Sequence, residues 1–70
     1  MYKFKNSKKD EIVSKYKLTY IAEKTGITLS YLSKVINGKL ACSKMAAYCI
    51  TKIVDPEKEI EYYFQKHEKM

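Results

Sequence analysis

The 70-residue sequence has no arginine, no tryptophan, one proline, two glycines, two cysteines and one histidine. Each scarcity excludes something. Two cysteines cannot build the multi-bridge scaffold with which small secreted domains replace a core. Cys42 and Cys49 are seven positions apart. On one helix that is about 10 Å of axial rise, beyond the roughly 7 Å between Cα atoms that a disulfide spans. Both are expected to be reduced thiols acting as small apolar residues. With His67 the single histidine and no Cys-x-x-Cys pair, no metal-ligand spacing exists, and no metal is expected. Gly26 and Gly38 stand alone, so there is no glycine-rich phosphate loop. No nucleophile is paired with a base, and neither catalysis nor a cofactor is expected. The longest apolar run, Met45 to Ile50, has six residues, far from the ~18 of a membrane span. No apolar stretch follows the lysine-rich start, so no secretory signal is expected.

What is present is lysine. Fourteen lysines stand against eight acids, for a formal charge of +6. Residues 1–54 hold eleven lysines against Asp10, Glu11 and Glu23, while residues 55–70 hold three lysines against five acids. The body is therefore basic and the last segment acidic. A basic body attracts polyanions through counterion release. An apolar fraction of 46% is ordinary for a globular domain and too high for a disordered tail. The composition implies one small, soluble, cytoplasmic binding domain spanning 1–70.

Hydrophobic spacing and punctuation divide the chain into short helices. Residues 1–7 alternate around Tyr2 and Phe4, which suits an extended arm or an edge strand. Ser7 is an expected N-cap for a first helix over about Lys8 to Tyr16, with Ile12, Val13 and Tyr16 apolar. Leu18 to Thr25 forms a second, with Leu18, Ile21 and Ala22 inward and Gly26 ending it. Thr28 caps a third through about Asn37, burying Leu32, Val35 and Ile36, and Asn37-Gly38 stops it. Ser43 caps a fourth, with Met45, Cys49, Ile50, Ile53 and Val54 as candidate core. Asp55-Pro56 reads as N-cap and N1 of a fifth over 56–67, where Ile60, Tyr63, Phe64 and His67 share a face. No strand pattern is evident after residue 6. The expected fold class is all-α, a compact five-helix bundle with a short N-terminal arm. Tyr16, Tyr48 and Tyr63 suit the core, with their hydroxyls at its edge. Tyr2, Tyr20 and Tyr62 look more exposed. Because Tyr62, Tyr63 and Phe64 cannot all face one core from one helix, the fifth helix is expected to carry a dimer contact or to cover the bundle on two sides.

The informative stretch is 18–37, a helix-turn-helix. Ala22 lets two helices approach closely, Gly26 permits a sharp turn, and Ile27 and Leu32 fill the angle between them. The series Ile21-Ala22, Gly26, Ile27, Thr28, Leu32-Ser33-Lys34-Val35 and Asn37-Gly38 resembles the Cro/CI-type helix-turn-helix family, also called XRE or lambda-repressor-like. The likeness covers about residues 8–54. The small size and the stretch 48–52 look most like small regulators of temperate phages, either Cro-like proteins or modulators of repression.

That resemblance implies a lambda-repressor-like bundle that binds double-stranded DNA through the second motif helix, as a homodimer on half-sites roughly 34 Å apart. Thr28, Leu29, Ser30, Tyr31, Ser33 and Lys34 match the start and outer side of the recognition helix. Asn37, Lys39 and Lys44 match positions that grip the DNA backbone. The sequence departs from the family in three places. Lys17-Leu18 stands where Ser/Thr-Gln is usual, Leu29 where a polar residue is usual, and the bidentate base readers Arg, Gln and Asn are absent from the recognition helix before Asn37. Leu29 suits thymine methyls or a protein surface. The alternative reading is an anti-repressor or modulator that binds a CI-type repressor protein, motivated by Leu18, Leu29 and the exposed tyrosines.

Overall fold

The computed structural model describes residues 1–66. His67 and the end of the expected C-terminal helix lie outside the described residues. The element order is β1 (Tyr2–Phe4), a 3₁₀ turn (Asn6–Lys8), α1 (Lys9–Lys15), α2 (Leu18–Thr25), α3 (Leu29–Ile36), α4 (Lys44–Val54), α5 (Ile60–Tyr63) and β2 (Phe64–Lys66). Five α-helices are present among the described residues, matching the expected number. The all-α expectation is corrected by a two-stranded antiparallel sheet with Phe4 opposite Phe64.

The N-terminal segment 1–7 is therefore not a free arm. β1 pairs with β2 on one side and forms a bridge to Cys42 on the other. Tyr2 N donates to Cys42 O at 2.7 Å, and Cys42 N donates to Tyr2 O at 2.8 Å. Phe4 is buried, edge-on to Phe64 with ring centroids 5.3 Å apart and parallel to Tyr63 at 6.3 Å. The pairing joins the first and last described strands, and the Cys42 bridge anchors the loop that follows α3.

The helical face positions are only partly those expected. On α1, Ile12 is fully buried, whereas Val13 and Tyr16 are exposed. Ser7 does not cap this helix; it sits inside the 3₁₀ turn, and Lys8 occupies the cap position without a side-chain bond. On α4 the buried stripe is Ala47, Ile50, Thr51 and Val54, an i, i+3, i+4, i+7 set. Met45 is 72% exposed and Cys49 and Ile53 are half-buried, so Met45, Cys49 and Ile53 are not in the buried core. Tyr48, at 49% exposure, is also outside it.

The fifth helix is shorter than 56–67. Asp55 is the C-cap of α4, and its carboxylate accepts the Glu57 backbone N–H at 3.3 Å. Residues 55–58 form a turn, held by Lys52 Nζ donating to Lys58 O at 2.8 Å. Glu59 then precedes a single helical turn, and the chain goes extended at Phe64. This break lets Tyr63 and Phe64 both be fully buried. Tyr62 is not a free interface aromatic: its hydroxyl donates to Glu11 and its ring lies under the ammonium groups of Lys8 and Lys58.

No helix among the described residues is long and apolar enough to cross a membrane.

Candidate functional site

The segment from α2 to the start of α4 is built by local chemistry. α2 ends at Gly26, which adopts φ +77°, a left-handed conformation that glycine takes without penalty. Thr25 closes the turn: its hydroxyl donates to Ile21 O at 2.7 Å and accepts from Ile27 N at 3.3 Å. Thr28 then caps α3, its hydroxyl accepting the Tyr31 backbone N–H at 3.2 Å. α3 ends in a Schellman arrangement, with Gly38 N donating to Val35 O and Lys39 N to Lys34 O. Gly38 also has φ +77°. Ser43 caps α4 by accepting from Ala46 N. The three-residue turn between α2 and α3, and the orientation of α3, are therefore fixed at both ends.

α3 buries Leu32, Val35 and Ile36. Its outward stripe is Ser30, Lys34 and Asn37, spaced i, i+4, i+7, and all three are exposed. Thr28 and Leu29 are exposed at its start, Leu29 at 45%. Two expected site residues are less available. Tyr31 is half-buried against the core, and burial pushes its phenol pKa up. Ser33 is half-buried and engaged with its neighbour, since Asn37 Nδ2 donates to Ser33 O at 2.8 Å and to Ser33 Oγ at 3.3 Å. Lys39 is exposed just past the end of α3, and Lys44 is exposed as the first residue of α4.

The charge on this segment is not neutralised. Residues 17–44 hold five lysines against Glu23 alone. The two ion pairs among the described residues, Lys8–Glu11 at 3.7 Å and Lys15–Asp55 at 3.3 Å, both lie outside it. They tie the 3₁₀ turn to α1 and α1 to the end of α4. Lys17, Lys34, Lys39 and Lys44 keep their ammonium groups for solvent or a partner.

Two features were not read from the sequence. Thr25 stitches the turn, which a threonine one position before a glycine hints at. Tyr16 and Tyr20 stack with centroids 5.0 Å apart and rings 16° from parallel, both exposed, with Lys24 Nζ 5.6 Å from the Tyr20 ring. Tyr16 was expected in the core; its i, i+4 partner across the α1–α2 junction was the missing signal.

An apolar groove of about 400 Å³ lies along Lys44, Met45 and Tyr48. Among the described residues no group of three or more His, Cys, Asp or Glu is placed to hold a metal ion. Compared with known proteins, the chain matches no family model, no curated protein and no solved structure.

Proposed function

We propose that the protein is a DNA-binding transcriptional regulator of Cro/CI type, acting without a cofactor or enzymatic step, in the cytoplasm, within a phage or mobile-element genetic switch. The observation that carries this reading is the outward stripe of α3. Ser30 and Lys34 project from a rigidly capped helix, and unpaired Lys17, Lys34, Lys39 and Lys44 accompany it. A helix held on a tight turn and presented this way fits a major groove, with lysines on the flanking phosphates. The order of helices, with the turn motif in the second and third, agrees with the lambda-repressor-like arrangement implied by the resemblance. The absence of arginine shifts the balance from base reading to backbone contact. A homodimer on two related half-sites is part of the proposal.

The test is fluorescence anisotropy of duplex promoter DNA titrated with the protein at low salt. Saturable binding that Lys34→Ala weakens supports the reading. Absence of any anisotropy change at low salt refutes it.

A second reading is favoured by one observation. Leu29, Leu40, Met45 and Tyr48 are all large, apolar and more than a third exposed. Such side chains suit a protein surface, and an anti-repressor or modulator would use them to dock on a CI-type repressor protein. Co-elution with a repressor encoded beside it, lost in Leu29→Lys, distinguishes this reading from DNA binding alone.

A further inference from the structure

The groove between β1, the 3₁₀ turn and the C-terminal end of α3 has a volume of about 500 Å³, within the range of small-ligand sites. Its polar lining is donor-rich. Lys3, Asn6, Ser7 and Gln65 contribute side chains with no intramolecular partner among the described residues, and Lys5 joins them. Lys5 Nζ donates to Glu61 O at 2.6 Å, which leaves further ammonium hydrogens. Among the described residues, no carboxylate lines the groove. Ser7 is available here because it does not serve as the helix cap expected of it. Asn37 and Gly38 form the opposite wall, where the Ser33, Lys34 and Val35 carbonyls of α3 already accept bonds from Asn37 Nδ2, Lys39 N and Gly38 N. Three of the last four carbonyls of α3 are thus occupied, and the groove presents ammonium, amide and hydroxyl donors.

We infer that this groove binds a phosphate group, and that on a duplex held by α3 it takes a backbone phosphodiester. The second part rests on the DNA-binding reading. Asn37 belongs to both surfaces, so the groove continues the outward stripe of α3 onto the β1–β2 sheet. Lys3 and Gln65 face each other across that sheet, and neither belongs to the helix-turn-helix. A helix-turn-helix acting alone makes no demand on them.

Two measurements test the inference. In the first, duplex affinity is followed against salt for the wild type, Lys3→Gln, Gln65→Glu and Lys58→Gln. Lys58→Gln makes the same charge change as Lys3→Gln, but on the turn before α5. Lys3→Gln is expected to reduce the slope of log affinity against log salt by about 0.9, the value of one lost phosphate contact. Gln65→Glu is expected to weaken binding, while Lys58→Gln leaves the slope unchanged. Circular dichroism melts confirm that each variant is folded. If the duplex binds but Lys3→Gln and Gln65→Glu behave like Lys58→Gln, the inference is overturned and the DNA-binding reading stands. In the second, inorganic phosphate is titrated into the ¹⁵N-labelled wild type. Saturable shifts at the Asn6, Ser7 and Gly38 amides, abolished by Lys3→Gln, support a phosphate site. If the same protein fails to bind duplex, the phosphate comes from a free ligand and the DNA-binding reading is the one that fails. No duplex binding and no such shifts overturn both.

Discussion

The Tyr62 hydroxyl donates to the Glu11 carboxylate at 2.9 Å, joining α5 to α1 across 51 positions of sequence. Tyr63 donates to the same oxygen at 3.3 Å, and Lys8 lies 3.7 Å from the other. The hydrogen bond from Tyr62, aided by the Lys8 charge, holds the Glu11 pKa below its ordinary value against the opposing effect of desolvation. Asp55 is also lowered. Desolvation pushes it up, but the hydrogen bond from Lys15, the Glu57 backbone N–H and the nearby lysine charges outweigh it.

Both carboxylates therefore contribute stability that is fully present above the unfolded-state carboxylate range. That stability is lost as pH falls through the lower folded-state values. Acid unfolding is expected to begin below about pH 4, read by circular dichroism. Glu11→Gln should be less stable than wild type at pH 7, with the difference shrinking as the pH drops below that range. An equal difference at pH 7 and pH 2.5 would mean that the Glu11 charge is not what matters.

Gly26 has φ +77°, and a Cβ added there would meet nothing within 4 Å. The cost of Gly26→Ala is then backbone strain alone, about 1–2 kcal/mol. For a domain of this size that lowers Tm by roughly 4–8 °C per kcal/mol. Gly26→Asn should lose less, since asparagine tolerates this region better. Equal melting of glycine and alanine proteins would show that the turn is not held as described.

Thr51 is fully buried on α4, and its hydroxyl has no hydrogen-bond partner among the described residues. An unsatisfied buried hydroxyl costs about 1–3 kcal/mol. Thr51→Val removes the hydroxyl and keeps the branched shape, so urea unfolding should show a gain of about 1 kcal/mol. A loss of stability would reveal a bond to Thr51 that the folded protein makes and the geometry does not show.

Cys42 is fully buried in the loop that pairs with β1, and burial pushes its thiol pKa to about 11. Cys49 is half-buried on α4. Because the thiolate is the reactive form, iodoacetamide at pH 8 should label Cys49 first and Cys42 only after unfolding. Mass spectrometry of the labelled peptides reads the order. Rapid labelling of Cys42 in the native protein would mean that the β1–Cys42 bridge opens readily.

The region around α2 and α3 was legible because its signals are local. Gly26, the Thr28 cap and Asn37-Gly38 each act on residues within one turn, and the structure uses all of them. The two ends were not legible, because they are decided by each other. Ile60, Tyr63 and Phe64 fit a continuous helical face, yet Phe64 leaves the helix to pair with Phe4, sixty positions away. Asp55-Pro56 carries the marks of a helix start, but Asp55 instead ends α4 through an Asx-type bond to Glu57. On α4, Met45 and Tyr48 are expected in the core, whereas the buried stripe includes the smaller Ala47 and Thr51, on the helix that packs against α2. At the candidate site, Thr28, Leu29, Ser30, Lys34, Asn37, Lys39 and Lys44 are exposed. The partial burial of Tyr31 and the Ser33–Asn37 bond depend on packing and rotamers that no spacing rule carries.

The most direct test is duplex binding by the wild type and Lys34→Ala across a salt series. Lys17, Lys34, Lys39 and Lys44 on four phosphates would together contribute about −3.6 to the log–log slope. Lys34→Ala is then expected to bind more weakly, with a slope shallower by about 0.9. No binding at low salt, or binding that neither salt nor Lys34→Ala alters, would contradict a DNA-binding role for α3.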